Sequence, residues 1–396
     1  MKSILFLLCL LLLPLSIFGI DKVTIGKNKE ILVDGKAFFP MMSTLQEEKS
    51  MDKNIAVGVN TFVGVWKQTP EKAKKYLEVC KQKNVYAILD FEESVKNHPN
   101  LLGWIQPDEP DMPNEKNKPR TSPDESIAHY NKAKAKDKNH PMFLNLTANF
   151  NKKMDVAKYS DVSFYKKYKD ATDIIGFDTY PIFGWMRVDD LWWVGSGVEE
   201  LRKLTDDKLP TYAWIETIGG SRWLSPALQR EPLAYEIKCE MYMSIVKGVK
   251  AIALWTHRWV AENKLGVKSN NKKVANDSPD YTTFGINQKN RDMLKIETER
   301  IKRLTPVIVS PDVNGKVSKK EGGKIEIMTK EFESKFYVFA VNFERKAGKA
   351  GFAVEGLKKG TKIKVDAEER EIEAKEDGFF SDSFKEFDVH IYMIDR

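Results

Sequence analysis

Short apolar runs alternate with amphipathic segments of helical length along most of this 396-residue chain. Such alternation predicts parallel strands joined by crossover helices, because a strand buried on both faces appears in a sequence as an apolar run. Eight alternating β and α units over roughly 270 residues have the size and rhythm of a (β/α)8 barrel, the TIM-barrel form of the α/β class. The predicted strands are 37–42, 59–66, 85–91, 101–105, 141–147, 173–180, 211–215 and 249–255, and the predicted helices are 47–57, 70–83, 123–136, 155–169, 198–204, 233–246 and 288–304.

An open, doubly wound α/β sheet is the alternative to a barrel. It is expected to carry a glycine-rich nucleotide-binding turn after an early strand, and the sequence contains none. Before the first βα unit, Asp34-Gly35 sits between alternating apolar and polar residues and predicts a tight β-hairpin. The barrel domain, including this hairpin, is therefore predicted to occupy residues 20–305.

The pattern changes after Thr305-Pro306. From there to the C-terminus the chain shows only strand-like runs punctuated by glycine, and this spacing predicts a small antiparallel β-sandwich over 306–396. The sandwich is predicted to pack against the barrel, with carbohydrate binding as the alternative. The predicted strands are 324–328, 336–342, 351–354, 361–365 and 389–394.

The first 19 residues have the features of a secretory signal peptide. One lysine precedes the apolar run 4–15, and small residues follow it near residue 19. Cys9 lies inside the apolar run, so lipoprotein processing is the less favoured alternative. Only Cys80 and Cys239 remain after removal of the segment, which is too few for a disulfide framework. The sequence therefore predicts an exported protein, periplasmic, surface-bound or secreted, of bacterial type, whose mature chain has no membrane span.

Composition excludes several function classes. The formal net charge of +7 is spread over interleaved lysine and glutamate, without the basic, aromatic-rich block that nucleic-acid binding would require. The five histidines are scattered without ligand spacing, so neither a metal nor an organic cofactor is predicted. No Gly-x-Ser-x-Gly motif supports a serine hydrolase. The sequence carries no signal for an oligomeric state.

Acidic residues follow several predicted strands, and two glutamates stand out. Glu109 follows the fourth predicted strand and Glu216 ends the seventh, 216 − 109 = 107 residues further on. In a barrel the carboxyl ends of all strands meet at one face, which would bring both carboxyls to the same pocket. Two acids facing one pocket are what acid-base hydrolysis of a glycosidic bond requires.

At these positions the chain resembles the clan A glycoside hydrolases. The resemblance lies in segments 102–104 (Leu-Gly-Trp), 108–110 (Asp-Glu-Pro) and 214–216 (Trp-Ile-Glu), within the rhythm of residues 38–303 and the trailing β-sandwich. It implies a retaining mechanism in which Glu109 is the acid/base and Glu216 the nucleophile. One departure is clear: most of the clan has asparagine before the acid/base, where it bonds the sugar 2-hydroxyl, whereas this chain has Asp108. The implied substrate is an oligosaccharide or polysaccharide, most readily β-linked.

Further residues are predicted to bind the sugar. Tyr180, after the sixth strand, is expected to donate a hydrogen bond to Glu216, and Trp255, ending the eighth, to stack on the sugar ring. The other candidates are strand-end or loop residues: Asn145, Trp185, Trp223 and His257. The rival interpretation is a catalytically inactive barrel that serves as an exported glycan-binding protein, and Asp108 is the feature that favours it.

Overall fold

The computed structural model describes residues 20, 22–159, 161–221, 223–258 and 284–395. The predicted signal peptide, 1–19, lies outside the described residues. A three-stranded antiparallel sheet comes first, formed by β1 (Val23–Ile25), β2 (Ile31–Val33) and β3 (Lys36–Phe38). Asp34 and Gly35 join β2 to β3 with φ values of 50° and 77°, the positive angles that a tight type I′ turn requires. The predicted hairpin is confirmed.

Eight parallel strands then close into a barrel, so the predicted TIM-barrel fold is confirmed. The first predicted strand, 37–42, is in fact two: β3 ends at Phe38, and the first barrel strand begins at Met41 beyond Pro40, which has no N–H to donate. The barrel strands are β4 (Met41–Thr44), β5 (Thr61–Val63), β6 (Tyr86–Asp90), β7 (Leu101–Ile105), β8 (Met142–Thr147), β9 (Ile174–Asp178), β10 (Thr211–Glu216) and β11 (Ala251–Trp255).

Helices connect the barrel strands, and N-cap residues mark where two of these helices begin. Thr69 caps the helix that begins at Pro70, and Ser122 forms a reciprocal capping box with Glu125 at the next one. The helices are α1 (Glu48–Ile55), α2 (Pro70–Gln82), α3 (Pro123–Lys136), α4 (Pro181–Trp185), α5 (Trp192–Leu204), α6 (Ala234–Val246) and α7 (Gln288–Ile308).

Two helix predictions need correction. The segment predicted as a helix over 155–169 forms a 3₁₀ helix at Ser163–Ala171, packed through Tyr165 and Tyr168. The helix predicted to begin at Val198 starts instead at Trp192, because a buried apolar face continues back to that turn. The closing helix α7 continues through Pro306 and ends at Ile308, which is three residues beyond the predicted domain boundary at 305.

The C-terminal region consists of two antiparallel sheets that enclose an apolar core, as the sequence predicts. Three of its strands were not predicted: β12 (Val317–Glu321) and β17 (Arg370–Glu373), in which charged residues dominate, and β18 (Phe379–Phe384), in which Ser, Asp and Ser interrupt the apolar residues. Its strands are β12 (Val317–Glu321), β13 (Ile325–Phe332), β14 (Lys335–Asn342), β15 (Gly348–Val354), β16 (Lys362–Val365), β17 (Arg370–Glu373), β18 (Phe379–Phe384) and β19 (Val389–Asp395).

The sandwich packs directly on the helical layer of the barrel. Phe339, Val341 and Ile391 belong to the same buried cluster as the barrel helices. Arg300 of α7 also reaches across to Asp366, with Nε 2.8 Å from Oδ2. The sandwich therefore has its own core and also shares a second buried apolar cluster and a buried ion pair with the barrel.

Candidate active site

A cavity of 470 Å³ opens at the carboxyl end of the barrel; we call it the central mouth. Every barrel strand contributes at least one residue to its wall, so it lies on the barrel axis at the face where TIM-barrel enzymes bind substrate. The strand residues that line it are Thr44, Val63, Asp90, Ile105, Asn145, Asp178, Trp214 and Trp255.

A second cavity, of 410 Å³, lies beside the first, above the ends of β8 and β9; we call it the side cavity. Glu109, Trp185 and Trp223 line it. Asp178 and Tyr180 line both cavities and so form the wall between them. A ligand longer than one sugar ring could therefore occupy both sides of this wall.

Glu109 follows β7 in a strained backbone conformation. Its φ of 45° lies in the left-handed region, which non-glycine residues adopt rarely. Its N–H donates to the carbonyl oxygen of Asn145 at 3.2 Å, and Arg120 donates to its carbonyl oxygen at 2.9 Å. These contacts hold the strained turn and place the carboxyl in the side cavity. Strain maintained in this way is often found at functional positions.

Glu109 and Asp178 both line the side cavity, and their carboxyls lie close enough for one to donate a hydrogen bond to the other. Two carboxyls can form such a bond only if one of them holds a proton. Burial, the negative charge of Asp108 and that of Asp111 raise the pKa of Glu109 to about 7, against the opposing hydrogen bond from Asp178. Burial and the neighbouring carboxyls raise the pKa of Asp178 well above its usual range. The pair is therefore expected to keep a proton at neutral pH.

Asp108 lines the central mouth rather than the side cavity. Its Oδ1 accepts a hydrogen bond of 3.0 Å from Nδ2 of Asn145. Part of Asp108 is exposed to solvent, but burial of its carboxyl raises the pKa of that group. The hydrogen bond from Asn145 and the positive charge of Arg120 oppose this rise. Adjacent acids thus face different cavities.

Glu216 ends β10, as predicted, but its side chain is fully buried. Its carboxylate accepts hydrogen bonds from the backbone N–H of Ile182, at 2.8 Å, and of Phe183. Burial raises its pKa to about 7, against these two hydrogen bonds and one from Glu240. Among the described residues that line the central mouth and the side cavity, Glu216 does not occur. Its role as nucleophile stays a prediction.

The aromatic candidates divide between the cavities. Trp185 and Trp223, 40% and 52% exposed, border the side cavity, while Trp255 and His257 border the central mouth. The ring centroids of Trp255 and His257 lie 3.9 Å apart, and burial lowers the pKa of His257 to about 3, so this imidazole is neutral. Tyr180 is buried between the cavities, close to the acid pair.

Four residues that line the central mouth were not selected as site residues from the sequence: Asp90 and Asp178, which are among the acids that follow predicted strands, and Trp66 and Trp214. Asp178 and Trp66 stand at the ends of predicted strands, which is the signal that could have selected them. Trp214 is held beside Asp178 by the register of β10 on β9, which no local pattern reveals.

The residues described offer no group of three or more His, Cys, Asp or Glu side chains arranged to hold a metal ion. Within the described part of the chain, no helix has the length and apolar character needed to cross a membrane.

Comparison with known proteins shows which solved structures share this fold. The sequence matches no protein-family model and no curated protein. Solved structures do match. The α-amylase of Geobacillus thermoleovorans, complexed with acarbose, superposes with a TM-score of 0.53 at 10% identity, over 90% of this chain and 98% of that one. The chain has the barrel fold of glycoside hydrolases.

Two further structures give the same result. A protein described as a glycoside hydrolase has a TM-score of 0.53 at 11% identity, over 94% of this chain and 97% of its own. Amy13B of Eubacterium rectale has a TM-score of 0.53 at 10% identity, over 90% and 96%. The superpositions span nearly the whole of each chain, so they extend to the C-terminal region.

Proposed function

We propose that this protein hydrolyses glycosidic bonds in an oligosaccharide or polysaccharide and that Glu109 is its acid/base. The observation that carries the proposal is the pair of adjacent carboxyls of Glu109 and Asp178, set at the wall between two aromatic-lined cavities at the carboxyl end of the barrel. The barrel fold shared with glycoside hydrolases supports it, and the acarbose in the structure of one of them is a carbohydrate-like ligand.

The chemistry follows from the charge state of the pair. In the resting pair the proton lies on Asp178, which passes it to Glu109 as Glu109 protonates the oxygen of the leaving group; the raised pKa values of both carboxyls keep this proton available near neutral pH. The negative charge that then remains on the pair lies next to the sugar, where the transition state develops positive, oxocarbenium-like charge. When the leaving group has departed, Glu109 takes a proton from the incoming water.

Glu216 completes this scheme as the proposed nucleophile, in the retaining route that the resemblance implies. This role requires Glu216 to leave its present hydrogen bonds. Its two carboxylate oxygens accept the N–H groups of Ile182 and Phe183, so attack on the anomeric carbon requires that α4 and Glu216 separate. Asp178 meets no such condition, because it already lines both cavities.

The test is to assay the wild type and Glu109→Gln on aryl β-glycosides and on defined oligosaccharides. Loss of the general acid should lower kcat/KM by about 10²- to 10⁴-fold. Glu115→Gln is the matched control, because Glu115 is an exposed residue of the same loop outside both cavities. Its activity should equal that of the wild type.

The rival, a glycan-binding protein without turnover, predicts a different outcome. A wild type that binds oligosaccharides but cleaves none of them would support the rival, and equal activity of Glu109→Gln and wild type would exclude Glu109 as the acid. Export through the segment 1–19 belongs to the proposal as well, since it would give the enzyme access to extracellular glycans.

A further inference from the structure

Two buried polar atoms at the wall of the central mouth have no hydrogen-bond partner among the described residues. They are Oδ1 of Asn145, an acceptor, and Nε1 of Trp214, a donor. Asn145 is 3% exposed and Trp214 is 5% exposed, so bulk water does not satisfy either atom. An unpaired buried polar group is costly, and most such groups in folded proteins are paired. Both side chains line the same cavity, so a ligand bound in this cavity would contact them.

The strand register explains why the two residues stand together. Trp214 of β10 pairs with Asp178 of β9, and Asn145 of β8 pairs with Gly176, two residues before Asp178. Residues two apart on a strand face the same side, so Asn145, Trp214 and Asp178 point toward one region. Nδ2 of Asn145 is already engaged with Asp108, which leaves its Oδ1 as the acceptor.

The chemistry of these atoms defines the ligand they suit. A hydroxyl group both donates and accepts, so neighbouring hydroxyls can satisfy an acceptor and a donor at once. The mouth also has apolar surface: Trp66 is 46% exposed and lines the cavity together with Trp255. Aromatic faces beside a few fixed polar atoms are suited to a pyranose ring, which has apolar C–H faces and polar edges.

We propose that the central mouth binds one sugar unit of the substrate, with its hydroxyls bonded to Asn145 and Trp214 and its ring against Trp66. The next sugar unit of the substrate occupies the side cavity at Trp185 and Trp223. The glycosidic bond between the two units, which is the bond cleaved, passes over the wall formed by Asp178 and Tyr180. The inference rests on the proposed function and narrows it, because the substrate is then a chain of at least two sugars that is held on both sides of the acid pair.

Binding to Glu109→Gln, which prevents turnover, tests the proposal. Isothermal titration calorimetry with tetrasaccharides of β-glucan, β-xylan, β-mannan and α-glucan identifies the best probe. Trp214→Phe in the same background keeps the ring and removes the N–H. It should weaken binding by about three- to tenfold, the loss of one neutral hydrogen bond, without lowering Tm. Trp66→Ala, at the exposed rim, should weaken it about fivefold through lost ring contact.

Trp192→Phe is the matched control, because Nε1 of Trp192 bonds Asp190 at 2.9 Å outside both cavities. It should bind as tightly as the parent. If Trp214→Phe and Trp66→Ala also bind as tightly as the parent while the wild type hydrolyses its substrate, the inference is overturned and the proposed function stands. If the wild type cleaves none of these glycans and the parent binds none, both are overturned.

Discussion

The carboxyls of Glu109 and Asp178 lie next to each other at the wall between the central mouth and the side cavity, where one can donate a hydrogen bond to the other. They come from the ends of the fourth and sixth barrel strands, and the strand between them supplies Asn145, whose carbonyl oxygen holds the N–H of Glu109 at 3.2 Å. Because the two groups interact closely, their protons are lost in two steps that belong to the pair rather than to either residue. The form that holds one proton can both donate it and keep a negative charge.

Replacing Asp178 by asparagine should change the shape of the pH profile. In the wild type kcat/KM should fall at high pH, where the pair loses its last proton, and at low pH, where it loses its charge. In Asp178→Asn the pair keeps only one titrating carboxyl, so the part of the acidic limb that belongs to the pair should disappear and only the part that belongs to Glu216 should remain. The value of kcat/KM should fall about 100-fold, the cost of one electrostatic stabiliser. Asp90→Asn, at the same mouth, should keep the wild-type profile. An acidic limb in Asp178→Asn that is unchanged in slope and position would show that Asp178 does not titrate with Glu109.

The sequence predicted the barrel and the positions of Glu109 and Glu216 because these depend on local pattern and strand count. It could not predict that Glu109 faces one cavity and Asp108 the other, since this follows from a φ of 45° in the turn. Nor could it show that the Pro181–Trp185 turn lies against Glu216, because that contact joins residues 34 positions apart. Asp178 was not selected from among the acids at the strand ends for a related reason: it comes next to Glu109 only when the barrel closes.

Removing the Glu216 side chain should destabilise the fold. Glu216→Ala leaves the buried N–H groups of Ile182 and Phe183 without their acceptor, which should lower the free energy of unfolding by about 3 kcal/mol. Urea unfolding measures this loss. Glu216→Asp has a carboxylate on a shorter side chain, and it should be destabilised less if that carboxylate still reaches one N–H. Wild-type stability in Glu216→Ala would contradict the bonded arrangement and would favour a carboxylate free to act as nucleophile.

The contact between the barrel and the β-sandwich depends on a buried ion pair. Asp366 binds Arg300 and Arg303, and the Arg300 side chain is only 4% exposed. Asp366→Ala should therefore cost about 3 kcal/mol, because it leaves the buried guanidinium of Arg300 with only its longer contact to Glu297, at 3.5 Å. Glu373→Ala is the control: it breaks the exposed pair with Lys362 at 2.6 Å and should leave the free energy of unfolding close to that of the wild type, because solvent screens exposed ion pairs. Equal losses in the two variants would contradict a buried role for Asp366. Thermal unfolding compares them, and kcat at 25 °C should not change in either.

His257 should make the protein sensitive to acid. Burial lowers its pKa to about 3 from the usual value of 6.5, so between these values the unfolded chain binds a proton that the folded chain does not. The stability linked to this neutral imidazole is present above pH 6.5 and is lost as the pH falls. Between pH 7 and pH 5 the loss should be about 2 kcal/mol, since one pKa unit corresponds to 1.36 kcal/mol.

The buried carboxyl of Glu216 acts in the opposite direction, because its raised pKa favours the folded state at low pH and that stability is lost as the pH rises toward 7. The informative quantity is therefore the difference between the wild type and His257→Gln, in which the Glu216 contribution cancels. Urea unfolding at pH 5, 6 and 7 should show this difference shrinking as the pH falls, because only the wild type has the imidazole to protonate. A difference that is constant across this range would mean that His257 is not held neutral by burial.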